Sequence, residues 1–151
     1  MTEIERKFRV RDAPQDLSGG TRLLQAYLAV DGDVEVRLRD RGGTPVLGVK
    51  GGHGVERTEV EVEIDRASFD VLWGLATDRR IEKTRYRLPA GGQTAELDVY
   101  AGSLEGLRVV EVEFSSREEA EAFVAPPWFG DELTGDPRWS NAALATDGPP
   151  E

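Results

Sequence analysis

The feature that most restricts the fold of this chain is a two-residue alternation of charged and apolar side chains. Residues 57–65, RTEVEVEID, hold that period without a break. A period of two puts alternate residues on opposite faces of an extended strand. Eight such segments are expected as strands: 2–10, 22–30, 33–41, 44–50, 57–65, 81–88, 94–100 and 107–114. Turn-rich pieces separate them, including Asp31-Gly32-Asp33, Gly42-Gly43 and Gly91-Gly92, as antiparallel hairpins require.

Helices are expected at 66–76 and 116–124. The first sets Phe69, Leu72, Trp73 and Leu75 at helical spacing. The second opens on Ser116 with Glu119 three residues on, a capping box. A Pro/Gly-rich stretch at 125–137 leads to a short helix at 139–145, and 146–151 is expected to fray. No repeat or long linker divides the chain. The expectation is one domain over 1–145, mainly β (α+β), with eight antiparallel strands and a few helices.

Composition narrows the function. The 151 residues include 29 acidic and 19 basic side chains, for a net charge of −10. A chain that acidic lacks the basic face that nucleic acids and anionic membranes demand. With no cysteine and one histidine, His53, thiolate chemistry and multi-histidine zinc sites are excluded. His53 lies between glycines and reads as an exposed loop residue. The start, MTEIERKF, is too charged for a signal peptide, and no apolar run approaches a membrane span. The expected setting is the cytoplasm, with oligomeric state (monomer or homodimer) left open.

Sorting the strands by parity shows what is unusual. Glu3, Glu5 and Lys7 share a face; so do Glu35, Arg37 and Arg39; Arg57, Glu59, Glu61, Glu63 and Asp65; Lys83, Arg85 and Arg87; Glu96 and Asp98; and Glu111 and Glu113, with Lys50 on its own strand. The simple reading is one wet face of a sheet. Yet these faces hold like-charged runs, Glu59-Glu61-Glu63 and Lys83-x-Arg85-x-Arg87, with neighbours about 6.6 Å apart. A solvated surface intersperses its signs instead. Closing eight strands into a barrel would also bring the first and last together, so that Glu3/Glu5 and Glu111/Glu113 face each other. Four carboxylates suit a hard cation such as Mg²⁺ or Mn²⁺. The cations on the other strands suit a polyanion, because arginine forks match phosphate oxygens and lysine supplies a point charge.

The ordered set resembles the CYTH superfamily, the triphosphate tunnel metalloenzymes, and in particular its short single-domain bacterial members. The resemblance rests on Glu3-Ile4-Glu5-Arg6-Lys7, Gln25-Ala26-Tyr27-Leu28, Arg37-x-Arg39, Lys50, Glu59/Glu61/Glu63, Lys83-x-Arg85-Tyr86, Glu96-x-Asp98, Glu111-x-Glu113-Phe114, Trp128-Phe129-Gly130, and Asp136-x-Arg138-Trp139-x-Asn141. It implies an eight-stranded antiparallel barrel with a polar tunnel and helices outside. It further implies hydrolysis of a small triphosphate with Mg²⁺ or Mn²⁺, without nucleic acid or membrane.

Under that resemblance, Glu3, Glu5, Glu111 and Glu113 are metal ligands, joined by Glu63 and Asp98. Arg37, Arg39, Lys50, Lys83 and Arg85 bind phosphate, with Arg57 and Arg138 as further contacts. Lys7 and Tyr27 line the tunnel near the scissile bond, and Glu61 orients the attacking water. Trp139 stands where the family more often has Tyr, and Gly48 where Thr is commoner. The superfamily also contains class IV adenylate cyclases and thiamine triphosphatases, and a non-catalytic polyphosphate or nucleotide binder is the third class of reading. No adenine-binding signature is visible.

Overall fold

The computed structural model describes residues 2–52 and 55–150, so His53 lies outside the described residues. Eight strands close into an antiparallel barrel: β1 (Thr2–Arg9), β2 (Thr21–Asp31), β3 (Val34–Arg41), β4 (Thr44–Gly51), β5 (Glu56–Glu63), β6 (Arg80–Ala90), β7 (Gln93–Tyr100) and β8 (Arg108–Glu113). Each alternating segment becomes a strand, its ends within two residues of those expected. The helices are α1 (Arg66–Leu75), α2 (Arg117–Ala122) and α3 (Asn141–Asp147).

Local chemistry sets the helix ends. Asp65, expected on the charged strand face, is the N-cap of α1 and accepts from Ser68 N at 2.7 Å. At the other end Arg80 donates to Trp73 O at 2.7 Å and lies over the Trp73 ring. Ser116 caps α2 through Glu119 N, but Glu119 reaches back to Ser115 N rather than Ser116 N. The last helix starts two residues later than expected. Asp136 and Pro137 begin a 3-10 turn over Pro137–Trp139, and Ser140 then caps α3. The helix therefore runs to Asp147, into the segment expected to fray, and ends at Gly148 with φ +74°.

The order around the barrel is β1-β5-β4-β3-β2-β6-β7-β8, so β1 closes it between β5 and β8. Residues 2–4 of β1 pair with β5, and residues 5–9 pair with β8. Where β1 parts from β5, the C-terminal segment takes over. Gly130 N donates to Arg9 O (2.7 Å), Arg9 N to Asp131 O (2.8 Å) and Leu133 N to Lys7 O (2.8 Å). Thus both edges of β1 are paired, as barrel closure requires.

Because the charges point inward, the apolar residues point outward and need cover. Phe8, Phe114, Phe123 and Phe129 form one cluster under α2 and the segment after it, which Trp128 joins. Ile81, Tyr100, Leu104, Trp139 and Leu144 form another under α3. Phe69 and Trp73 of α1 stack with Ala26 and Leu38 beneath. Arg6 pins α2 to the barrel from outside. It makes two bonds to Glu132 (2.8 and 2.7 Å) and donates to Ala120 O (2.8 Å) and Phe123 O (3.2 Å).

Gly130 sits so close to β1 that a Cβ there would lie 2.5 Å from Arg9 O. Backbone cannot step aside as a flexible side chain can. Gly130→Ala is therefore expected to destabilise the protein by about 2 kcal/mol, the usual scale for overpacking. Urea unfolding tests this; an unchanged midpoint would contradict the account of how β1 is sealed.

Candidate functional site

Inside the barrel runs a charged cavity of about 710 Å³. β1 contributes Glu3, Glu5 and Lys7; β2 contributes Tyr27; β3 contributes Glu35, Arg37, Arg39 and Arg41; β4 contributes Lys50. Arg57, Glu59 and Glu61 enter from β5, Arg85 and Arg87 from β6, Glu96 from β7, and Glu111 and Glu113 from β8. The C-terminal turn adds Ser140 and Asn141. The strand period delivers these residues: in a closed barrel every inward residue faces the same space.

Four of the expected site residues are placed differently. Asp98 is wholly buried behind the wall, with Lys83 Nζ on Oδ2 and Arg85 Nε on Oδ1, both at 2.7 Å. Its oxygens are already engaged, so it holds cations in place rather than lying open to a metal. Lys83 has no exposed side-chain surface and does not line the cavity. Glu63 is exposed at the barrel rim, beside Arg41 and Glu61. Arg138 is exposed and tied to Asp136 at 2.7 Å, two residues away, outside the lumen. Trp139 is also absent from the cavity wall: its side chain packs in the outer core under Arg9. Only its carbonyl meets a site residue, accepting from Lys7 Nζ at 3.2 Å.

The carboxylates are staggered rather than aligned. In the β1–β8 register Glu5 faces Glu113, while Lys7 faces Glu111. Glu3 lies past the end of β8 and is opposite Arg57 of β5. Burial and the neighbouring Glu111 and Glu3 push the Glu5 carboxyl up to about 7. Burial and Glu3 also raise Glu113. Burial works against charge on Glu111 as well, but Lys7, Arg85, Lys50 and Lys83 hold it well below the carboxylate range.

These donors fit a hard divalent cation. All are carboxylate oxygens, and Glu5 is poised to exchange a proton for a positive charge. Among the described residues no three acidic groups yet converge at coordination distance. Instead Lys50 Nζ lies 3.1 Å from Glu3 Oε1 and 3.6 Å from Glu5 Oε1, supplying the positive charge there.

The positive half is unbalanced at one point. Arg37 pairs with Glu59, Arg57 with Glu35 at 3.5 Å, and Arg85 with Asp98 and Glu96. Arg39 has no ion-pair partner among the described residues, although it is only 5% exposed. Burial pulls its guanidinium down to about 10, and Arg37, Arg85 and Arg41 add repulsion. Glu61 offsets this only in part, so the arginine cluster favours an anion. Tyr27 stands beside this group with its phenol pushed up to about 12 by burial, so it remains a neutral donor.

Arg41, Ser140 and Asn141 also line the wall, beyond the expected site set. Arg41 continues the 35-37-39 parity and was open to that argument. Ser140 and Asn141 lie where the turn enters α3; Asn141 closes the Asp136-x-Arg138-Trp139-x-Asn141 motif without a role of its own there, and tertiary packing brings both to the wall.

A sequence model of the CYTH domain matches residues 1–134. A protein of Nitrosomonas europaea named inorganic triphosphatase is 48% identical over 148 residues, covering 96% of this chain and 97% of its own. One of Acetivibrio thermocellus with the same name is 39% identical over 145 residues, covering 94% and 92%. A crystal structure described as an inorganic triphosphatase superposes with a TM-score of 0.74 at 45% identity, covering 99% of this chain and 98% of that one.

The buried Lys83–Asp98–Arg85 set makes a stability prediction. Asp98→Asn keeps the shape but leaves two cations without their counter-charge, so it should cost about 3–5 kcal/mol. Thermal melts of the variant at neutral pH check this. A melt like that of the wild type would mean that the triad does not brace the wall.

Proposed function

The chain belongs to the CYTH domain family, and on that premise we propose that it hydrolyses inorganic triphosphate to pyrophosphate and phosphate in its barrel lumen. One observation carries the reading: Arg39 is buried with no ion-pair partner among the described residues and is crowded by Arg37, Arg85 and Arg41, a positive cluster that suits a multiply charged anion. The relatives named inorganic triphosphatase support the choice of anion.

In this reading Arg37, Arg39 and Arg85 grip non-bridging phosphate oxygens and offset the charge that builds on them during displacement. Lys50 exchanges its carboxylates for phosphate when the substrate enters, and Arg57 and Lys7 extend the cationic wall. Tyr27 donates from a hydroxyl that stays protonated. Glu61 accepts a proton from the attacking water. Glu3, Glu5, Glu111 and Glu113 hold the divalent cation, Mg²⁺ or Mn²⁺, which when bound neutralises phosphate charge and makes water more acidic. Eight of the 19 basic side chains line the lumen, and outside it acidic groups outnumber basic ones, which argues against a basic face for a nucleic acid. No described helix is long and apolar enough to cross a membrane, and we place the reaction in the cytoplasm.

Phosphate release from tripolyphosphate, ATP and thiamine triphosphate is the test, each with Mg²⁺, Mn²⁺ or EDTA. Turnover is expected with tripolyphosphate and metal, and none in EDTA. Glu5→Gln should lower kcat/KM by more than about 100-fold, and Arg39→Gln by about 100- to 1,000-fold. No turnover of any substrate with either metal, or wild-type rates in Glu5→Gln, would overturn the proposal.

A second prediction follows from Glu5, whose carboxyl is pushed up to about 7. Divalent cation binding must displace that proton. Apparent affinity should therefore rise about tenfold per pH unit below pH 7 and level off above it. Calorimetric titration with Mn²⁺ between pH 5.5 and 8.5 reads the slope, and a flat profile would remove Glu5 from the metal set.

A further inference from the structure

Asn141 is the first residue of α3 and lines the cavity, although no charge rule marks it. Its Oδ1 accepts a hydrogen bond from the Tyr100 hydroxyl. Tyr100 is fixed from below: it is 3% exposed, packs in the outer core with Leu104 and Trp139, and lies under Lys83 Nζ at 5.4 Å. Lys83 is in turn anchored on Asp98. A phenol has one proton to give, and among the described residues its hydrogen bond goes to Asn141. An amide whose oxygen is held on one side presents its NH₂ on the other. Asn141 lines the lumen, and no described residue accepts a hydrogen bond from this NH₂.

From this geometry we infer that Asn141 is a substrate-contacting residue, its amide NH₂ donating to a non-bridging oxygen of the bound triphosphate, and that Tyr100 is the positioning residue that aims it. The inference rests on the triphosphatase reading for the identity of the anion. A neutral donor suits this end of the cavity. Lys7 already bonds the carbonyl of Trp139 in the same turn, so the turn and the cationic wall meet at one place. Asn141 adds direction without adding charge.

The experiment compares Asn141→Asp, Asn141→Ala and Tyr100→Phe with wild type. Asn141→Asp retains the acceptor for Tyr100 but replaces the donor with a carboxylate. Its kcat/KM for tripolyphosphate should fall about 100-fold, with a raised KM, and Asn141→Ala should fall about tenfold. Tyr100→Phe keeps the ring packing and loses only the aim. Its kcat/KM should fall severalfold, and combining it with Asn141→Ala should add little, because both remove the same contact. Melting curves accompany each variant, and Asn141→Ala in particular should melt like wild type.

Rates within twofold of wild type for both Asn141 variants would overturn the inference. Full additivity of Tyr100→Phe and Asn141→Ala would overturn the role of Tyr100. Should wild type fail to turn over tripolyphosphate, the triphosphatase reading falls separately. Calorimetric binding of tripolyphosphate then decides the donor alone: weaker binding in Asn141→Ala supports it, and equal binding refutes it.

Discussion

Everything in this fold follows from putting charge inside a closed sheet. A barrel with an apolar interior is stabilised by its own lumen, whereas this one has carboxylates and guanidinium groups there. Its hydrophobic stabilisation must come from the outer surface. The clusters around Phe8, Trp139 and Phe69 lie there, each under a helix or the C-terminal segment. The helices and the C-terminal segment are thus the outer half of a core whose inner half is the back of the strands. The valines of β4 and β5 show where the cover stops: Val49, Val60 and Val62 remain about half exposed.

The lumen needs its own bracing, because like charges in a confined space repel. The wall uses two kinds of neutralisation. Behind the surface, Asp98 is engaged for good between Lys83 and Arg85. At the surface, Lys50 is shared between Glu3 and Glu5 at longer distances, a looser arrangement than the Asp98 set. Arg39 lacks either kind of partner. The difference separates side chains locked in short buried contacts from those left open to the lumen.

Much of this could be read from the residues. Strand parity put Glu3, Glu5, Lys7, Arg37, Arg39, Lys50, Arg57, Glu61, Arg85, Glu111 and Glu113 on one surface, and closure turned that surface into a cavity. Parity could not tell lumen from wall. Lys83 and Asp98 obey the same alternation, yet they sit so deep that they meet each other rather than solvent. Nor could it give register: the two Glu-x-Glu pairs are brought together, but antiparallel pairing sets Glu5 against Glu113 and leaves Glu3 beside β5. At strand ends the period loses its meaning. Asp65 continues the charged face in sequence but has already turned to cap α1, and Glu63 stands on the rim. The resemblance carried Tyr27, whose strand is too apolar for a charge argument. It also carried Arg138, which here closes on its own turn.

The pairing of β1 has a consequence for how the molecule is made. Among the described residues β1 registers with β5 over Thr2–Ile4, and its other partners, β8 and residues 130–133, come far later in the sequence. Contacts of such long sequence separation form late and slowly. The nascent chain must therefore carry a largely unpaired, highly charged strand until residues 108–133 have been synthesised. Its alternating charges, which later face the lumen, would in the meantime keep that waiting strand from pairing with other chains.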